Sequence, residues 1–326
     1  MMMKISFIVV AYNAAGSLGA LLEDLLAQTI PHEQIEALLV DSASTDATRA
    51  IMLDFAKATP FEVKVLDNPK RWLASGINVA LAAATGDAII RLDAHARIPK
   101  DFLENNLRAL ARGEDIVGGC VLGSAPGGAW ESVLRTVDTS RFCGGAAPFR
   151  NGGEARYVDT LAYALYRREV YDKVGLYDER LRRTEDNDMH YRMRKAGYRF
   201  YFSPDIVSYH AARATMRGQL RQKWGNGYWI GRTMRIQPRC FAPRHLIPAL
   251  FVLALLFGLL LLPFSVWPLL LLLSAYLACD LVFAVRGALS QESGRLLALL
   301  TLPFHFPVVH VVYGVGTLAG LLSGKE

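Results

Sequence analysis

The sequence runs to 326 residues, with 36 Lys and Arg against 30 Asp and Glu for a formal net charge of +6, and 52% of its residues are hydrophobic. That length holds one full-sized α/β domain with residues to spare, and the apolar fraction lies above the soluble average. The four cysteines, Cys120, Cys143, Cys240 and Cys279, have no C-x-x-C spacing and no companion histidines at metal-site intervals, which argues against a zinc module and fits ordinary reduced thiols.

The N-terminus, MMMKISFIVVAYNAAG, superficially suggests a signal peptide, but Ile5 to Ala11 is at the short limit for such a core. Residues 4–11 therefore read as a buried β-strand. Leu18, Leu21, Leu22, Leu25 and Leu26 recur at helical spacing and predict a helix around 16–28. The pattern repeats with a strand at Ile35–Val40, a helix from Asp46 to Lys57 and a strand at Phe61–Leu66. A helix from Ala74 to Ala84, closed by Gly86, and a strand at Ala88–Leu92 follow. Such alternation predicts the α/β class, a Rossmann-like, mostly parallel sheet with helices on both faces. Pro99 suits the first turn of a helix running to Arg112, and Asp115–Val121 reads as a strand. Between Gly123 and Gly153 the chain is rich in Gly, Ala and Pro with little periodicity, so a long loop over the site is expected there. Tyr157–Tyr166 reads as a strand, and Thr184 can cap a helix from Glu185 to Ala196 that Gly197 ends.

In sheets of this kind ligands bind beyond the carboxyl ends of the strands, and the residues found there are polar. Tyr12-Asn13 follow the first strand, Asp41 to Asp46 the second, and Asp93-Ala94-His95 the fourth. Asp93 and His95 stand at i and i+2, point to one side and can hold a divalent cation, Mn²⁺ or Mg²⁺, where it would neutralise charge on a departing diphosphate. The plainer alternative is a strand end followed by a solvated histidine. Tyr12 can stack on a nucleobase and Asp41 can accept hydrogen bonds from base or ribose, although Asn13 also suits a turn and Asp46 a helix cap. Glu185, Asp186 and Asp188 favour the first turn of their helix through its dipole. One of them, Asp186, is the candidate general base on an acceptor hydroxyl. No G-x-G-x-x-G follows the first strand, which disfavours a dinucleotide-binding domain.

The ordered segments FIVVAYN, VDSASTD, ASGINVALAAATGDAIIRLDAH and TEDNDMHYRMRKAGYRF resemble the inverting family 2 glycosyltransferases of GT-A fold over about residues 4–235. The likeness is to the ExoA-like subgroup of succinoglycan-type exopolysaccharide glucosyltransferases, in which DAH replaces the usual DxD. The resemblance implies that Tyr12, Asn13 and Asp41 bind the nucleoside, that Asp93 with His95 binds metal and diphosphate, and that Asp186 is the catalytic base. Asn78 falls at a donor-binding position of the family, beside Ser75-Gly76 where the motif usually differs. Histidine at the third DxD position leaves the metal preference open, a metal-independent variant included. Processive synthases carry Q-x-x-R-W before their membrane spans, whereas Gln219-Leu220-Arg221-Gln222-Lys223-Trp224 has those residue types at another spacing, which favours single addition.

Residues 1–212 are thus expected to form the catalytic domain. Asp205 and Asp280 enclose a stretch with no acidic residue, in which Arg213, Arg217, Arg221, Lys223, Arg232, Arg235, Arg239 and Arg244 lie. No nucleic-acid-binding pattern surrounds them, so residues 213–245 read as a basic interfacial helix meeting membrane lipids, with a solvated basic helix as the alternative. Residues 246–326 follow as a membrane domain with spans at 246–263, 268–285 and 296–321; Pro303 and Pro307 leave a re-entrant third span open. Arg286 and Arg295 mark the same side as the basic segment, which predicts a multi-pass protein of the cytoplasmic membrane with its catalytic domain in the cytoplasm. The expected reaction moves a sugar from a nucleotide diphosphate sugar, a UDP-sugar in the first instance, to a polyprenyl-linked saccharide. A processive polysaccharide synthase and a non-catalytic scaffold of the same fold are the alternatives.

Overall fold

The computed structural model describes residues 3–123, 128–143, 148–210, 215–291 and 294–324. The chain divides into two compact units, Met1–Ser124 with Pro148–Ala211, and Ala125–Ala147 with Ala212–Glu326.

The first unit contains β1 (Ile5–Ala11), α1 (Ala15–Leu26), β2 (Ile35–Asp41), α2 (Thr48–Ala58), β3 (Glu62–Asp67), α3 (Leu73–Ala83), β4 (Ala88–Asp93), β5 (Ala96–Arg97), α4 (Phe102–Leu110) and β6 (Ile116–Gly123). The chain enters the second unit at α5 (Ala129–Thr139). It returns to the first for α6 (Pro148–Asn151), β7 (Arg156–Val158), β8 (Leu165–Arg167), α7 (Arg168–Val174), α8 (Glu185–Lys195) and β9 (Phe200–His210). The sheet order is β3-β2-β1-β4-β8-β6-β9-β5, with β7 also paired to β9. β3, β2, β1 and β4 run parallel, whereas β8 is antiparallel to both β4 and β6.

The apolar runs of β1 and β2 are continuous because both faces of these strands are covered. Phe7, Val9 and Leu39 pack with Leu18, Leu21 and Leu25 of α1 on one face. Ile8, Leu38 and Val40 pack with Ala74, Ile77 and Ala80 of α3 on the other.

Three departures from the sequence pattern have physical causes. The tract expected as a loop over 123–153 contains α5, whose buried Val133, Leu134 and Val137 keep helical spacing inside a composition that reads as loop. The strand expected over Tyr157–Tyr166 is two short strands, with Tyr163 between them in the left-handed region at φ +52°. Gly86 does not close α3; it lets two backbones approach, since a Cβ there would lie 2.6 Å from the Ser6 nitrogen.

The second unit adds α9 (Met216–Met234), α10 (Ile247–Leu260), α11 (Trp267–Leu289) and α12 (Arg295–Leu322). Three helical stretches, Pro243–Leu260, Trp267–Leu289 and Arg295–Leu322, are long and apolar enough to cross a membrane. Pro303 and Pro307 sit inside α12 without interrupting it. Asp280 is fully buried on α11 and His310 joins the Tyr276 hydroxyl to the Phe142 carbonyl, at 2.8 and 2.7 Å, so these polar groups face the interior of the unit.

Arg213 lies outside the described residues. On α9, Arg217, Arg221 and Trp224 stay exposed, while Gln219, Lys223, Gly227, Ile230, Gly231 and Thr233 are buried. Lys223 pairs with Asp138 of α5 at 2.8 Å. The rest of that face lies along α12, where Gly227 and Gly231 meet Gly316 and Gly320 in a small-residue crossing. A Cβ on Gly231 would sit 2.1 Å from the Thr317 carbonyl oxygen, and one on Gly320 2.0 Å from that of Tyr228. Either substitution must push two backbones apart, which costs about 1–3 kcal/mol. Gly231→Ala and Gly320→Ala are therefore expected to lower the thermal midpoint in detergent. Gly19→Ala on α1, where a Cβ meets nothing within 4 Å, should raise it through helix propensity of about 0.5–1 kcal/mol.

Candidate active site

The register of the parallel strands decides where the chemistry sits. Ala11 pairs with Asp41 and Val10 pairs with Asp93, so β1, β2 and β4 end at one edge, and Tyr12-Asn13, Asp41 and Asp93-Ala94-His95 emerge together there.

At the β1/β2 end, Asn13 adopts φ +48°, a left-handed conformation that asparagine tolerates better than most residues. Its side-chain oxygen accepts from the Thr45 N–H at 2.8 Å and its own N–H donates to the Ser44 hydroxyl at 3.0 Å. Asp41 is buried and accepts from the Ser44 N–H at 3.2 Å. Asp46 caps α2 by accepting from the Thr48 N–H at 3.0 Å, and also accepts from the Ala15 N–H at 3.1 Å. These bonds fold the loop after β2 against the end of β1 and leave Tyr12 51% exposed, with the Arg71 guanidinium 5.9 Å from its ring centre. An exposed ring on a loop held by these bonds can stack on a planar base.

Asn78 is placed differently. Its amide donates to the Tyr177 carbonyl at 3.0 Å and to Glu179 at 3.1 Å, and its oxygen accepts from the Tyr177 N–H at 2.9 Å. It braces the turn at 177–179.

At the end of β4, Asp93 accepts from the Tyr163 hydroxyl at 2.9 Å, and its other oxygen lies 3.6 Å from Arg91. Burial alone would raise its pKa, but Arg91, His95 and the Tyr163 hydroxyl outweigh it and hold the carboxyl below its ordinary value. His95 faces His210, the last residue of β9, with the two Nε2 atoms 3.1 Å apart. Neighbouring ligands bound at about 2.1 Å and at right angles on one cation stand about 3.0 Å apart, so this pair fits a shared metal as well as a hydrogen bond. Among the described residues no group of three His, Cys, Asp or Glu is arranged to hold a metal unaided. The residues present fit a cation whose remaining ligands come from a bound diphosphate.

The three acids of α8 separate by environment. Asp188 is buried and paired with Arg192 at 2.8 Å within the helix, and Glu185 is buried with Oε2 unpartnered. Asp186 keeps 39% of its side chain exposed, and one of its oxygens lies 2.8 Å from Arg91. Beneath it is a cavity of about 10 Å³, room for one water, whose lining includes Arg91, Tyr163, Tyr166, Tyr177 and His190. His190 is held between the Thr160 and Tyr166 hydroxyls, each at 2.8 Å, and burial pulls its pKa down to about 4, so it is a neutral strut.

Residues 6–175 match the family described as Glycosyl transferase family 2. The chain belongs to this family. It is 30% identical to the succinoglycan biosynthesis protein ExoA of Rhizobium meliloti (strain 1021), over 96% of this chain and 94% of that protein. It is 25% identical to the dolichyl N-acetyl-alpha-D-glucosaminyl phosphate 3-beta-D-2,3-diacetamido-2,3-dideoxy-beta-D-glucuronosyltransferase of Methanococcus voltae, over 99% of this chain and 98% of that one. The fold is shared with the mannosyltransferase PcManGT from Pyrobaculum calidifontis, solved in complex with GDP-Man and Mn²⁺. The TM-score is 0.62, at 22% identity over 99% of this chain and 88% of that one. The family and the GT-A architecture expected from the motifs are thereby borne out.

For this family 2 chain, the motifs led to Asp93, His95 and Asp186 but passed over Arg91, Tyr163 and His210. Arg91 had a local signal: it stands two residues before Asp93 on the same strand and so projects to the same side. Tyr163 and His210 are brought in by tertiary pairing and leave no mark at motif spacing.

Burial, with Asp186 next to it, pushes the Glu185 carboxyl up to about 8 from its ordinary 4.5. The folded state then holds a proton that the unfolded chain has lost, so stability falls as pH rises from about 4.5 and levels off above about 8. Glu185→Gln removes that dependence. Chemical denaturation across this range should show the variant gaining on wild type as pH rises, and parallel profiles would contradict a buried, protonated Glu185.

Proposed function

We propose that this family 2 glycosyltransferase moves a sugar from a nucleotide diphosphate sugar to a hydroxyl of a lipid-linked saccharide, by one inverting displacement, in exopolysaccharide or cell-surface glycan assembly. The observation that carries the reading is the alignment of Asp93, Arg91 and Asp186 at one sheet edge, with separations of 3.6 and 2.8 Å. A nucleoside platform stands at that edge too, in Tyr12, Asn13 and Asp41.

Asp186 takes the acceptor proton as the acceptor oxygen bonds to the anomeric carbon and the bond to the diphosphate breaks. Glu185, neutral and buried beside it, adds no competing charge. Tyr12 stacks on the base, Asp41 accepts from base or ribose, and the loop pinned by Asn13 holds both in place. Asp93 and His95 would hold a divalent cation, Mn²⁺ or Mg²⁺, which when bound would neutralise charge on the diphosphate, with the His210 imidazole 3.1 Å from His95 as a neighbouring donor. The relative bound to GDP-Man and Mn²⁺ supports this assignment for the fold. Asn78 serves the donor side by bracing the 177–179 turn.

A polyprenyl-linked acceptor is supported by the helices that can cross a membrane and by the dolichyl phosphate-linked substrate named for the Methanococcus relative. The basic residues of 213–244, with Arg286 and Arg295, support an orientation with the catalytic residues on the cytoplasmic side of the inner membrane. Residues 1–212 act as the catalytic domain, 213–245 as the basic link and 246–326 as the membrane domain.

With protein reconstituted in lipid vesicles, Asp186→Asn should fold normally and lose transfer by about 10²–10⁴-fold. Asp93→Ala and His210→Ala should raise the Mn²⁺ concentration needed for half-maximal rate. Full activity of Asp186→Asn, or preference for a free saccharide over a lipid-linked one, would contradict the reading.

A further inference from the structure

Arg91 touches both the Asp93 and the Asp186 carboxylates, and no motif singled it out. Its guanidinium is largely enclosed, with the side chain 12% exposed; Nη2 lies 2.8 Å from Asp186 Oδ2 and Nη1 lies 3.6 Å from Asp93 Oδ1. Nη1 is buried and makes no hydrogen bond. The two acids it touches come from different elements, the end of β4 and the first turn of α8. Arginine stays charged at every accessible pH, and its planar fork fixes the directions as well as the charge of the groups it holds.

We propose that Arg91 is a positioning residue for transfer. It holds Asp186 Oδ2 so that Oδ1 is presented to the acceptor hydroxyl, and through the same guanidinium it sets the distance between the base and the diphosphate site at Asp93. This rests on Asp186 being the base. Arg91 takes no proton itself. The proton passes from the acceptor hydroxyl to Asp186, and the electron pair of the broken glycosidic bond leaves with the diphosphate.

The geometry yields a consequence that a merely structural arginine would not. Lysine at this position keeps the positive charge but is a single-pronged donor that cannot hold two directions at once. Misplacing a catalytic group by about 1 Å costs about 10²-fold in rate. The loss should fall on kcat, since the interaction orients the reacting groups and does not bind the donor.

The test uses full-length protein in lipid vesicles, a nucleotide sugar that supports transfer, a lipid-linked acceptor, and single-turnover measurement for slow variants. Arg91→Lys is chosen because Arg91→Met leaves two carboxylates without their cation and endangers the fold. Arg91→Lys is expected to lower kcat by about 10²-fold with donor KM near wild type. Added to Asp186→Asn, it should have no further effect on the residual rate, because Arg91 acts through Asp186.

Wild-type turnover by Arg91→Lys overturns the inference, as does a raised donor KM at unchanged kcat. An equal loss in the wild-type and Asp186→Asn backgrounds also overturns it, because Arg91 would then act independently of the base. Normal turnover by Asp186→Asn alone removes the base assignment and this inference with it, and that failure is read from Asp186→Asn without any change at Arg91.

Discussion

Parallel pairing of β1 with β2 and β4 is the constraint on which the rest of this catalytic unit depends. A parallel ladder sets a common direction, so all three strands end at the same edge. The register Ala11↔Asp41 and Val10↔Asp93 then fixes what is delivered there. A slip of one residue would turn every side chain of a strand to the opposite face and break both covering layers at once. The apolar packing on the two faces therefore also fixes the active-site geometry.

Electrostatics at that edge follows from how few charges are left unneutralised. Asp188 is tied to Arg192 inside α8, and Glu185 is buried and protonated near neutral pH. Of the acids at the end of β4 and the start of α8, Asp93 and Asp186 both face the largely enclosed guanidinium of Arg91. Burying a cation beside two anions is favourable only when the partners are close and well oriented. In the proposed reaction, the arrangement that stabilises the folded edge would also orient the reacting groups. In the second unit, close backbone approach at four glycines joins α9 to α12, and a small-residue seam of this kind holds helices together without large side chains.

The sequence made β1 to β4 legible because strands buried on both faces must be continuously apolar, and α1 and α3 because their apolar residues recur at helical spacing. It hid β9, because Pro204 and the polar Ser203 and Asp205 interrupt its apolar pattern and form an irregularity within the strand. The pairing with β6 shifts register there, and Gly119 leaves room for the Ser203 and Ile206 carbonyls. Missing β9 meant missing His210, which meets His95 only through that strand. Asp93 and Asp186 were legible because each lies in a short polar run at an element boundary. The glycine pairs of α9 and α12 escaped notice because their spacing has meaning only once the two helices lie side by side.

The most direct test of the central claim is the anomeric configuration of the first product, read by proton NMR after transfer from an α-linked nucleotide sugar to a lipid-linked acceptor by the full-length protein in vesicles. One carboxylate base acting in a single displacement gives a β-linked product. An α-linked product would contradict a single displacement with Asp186 as its base.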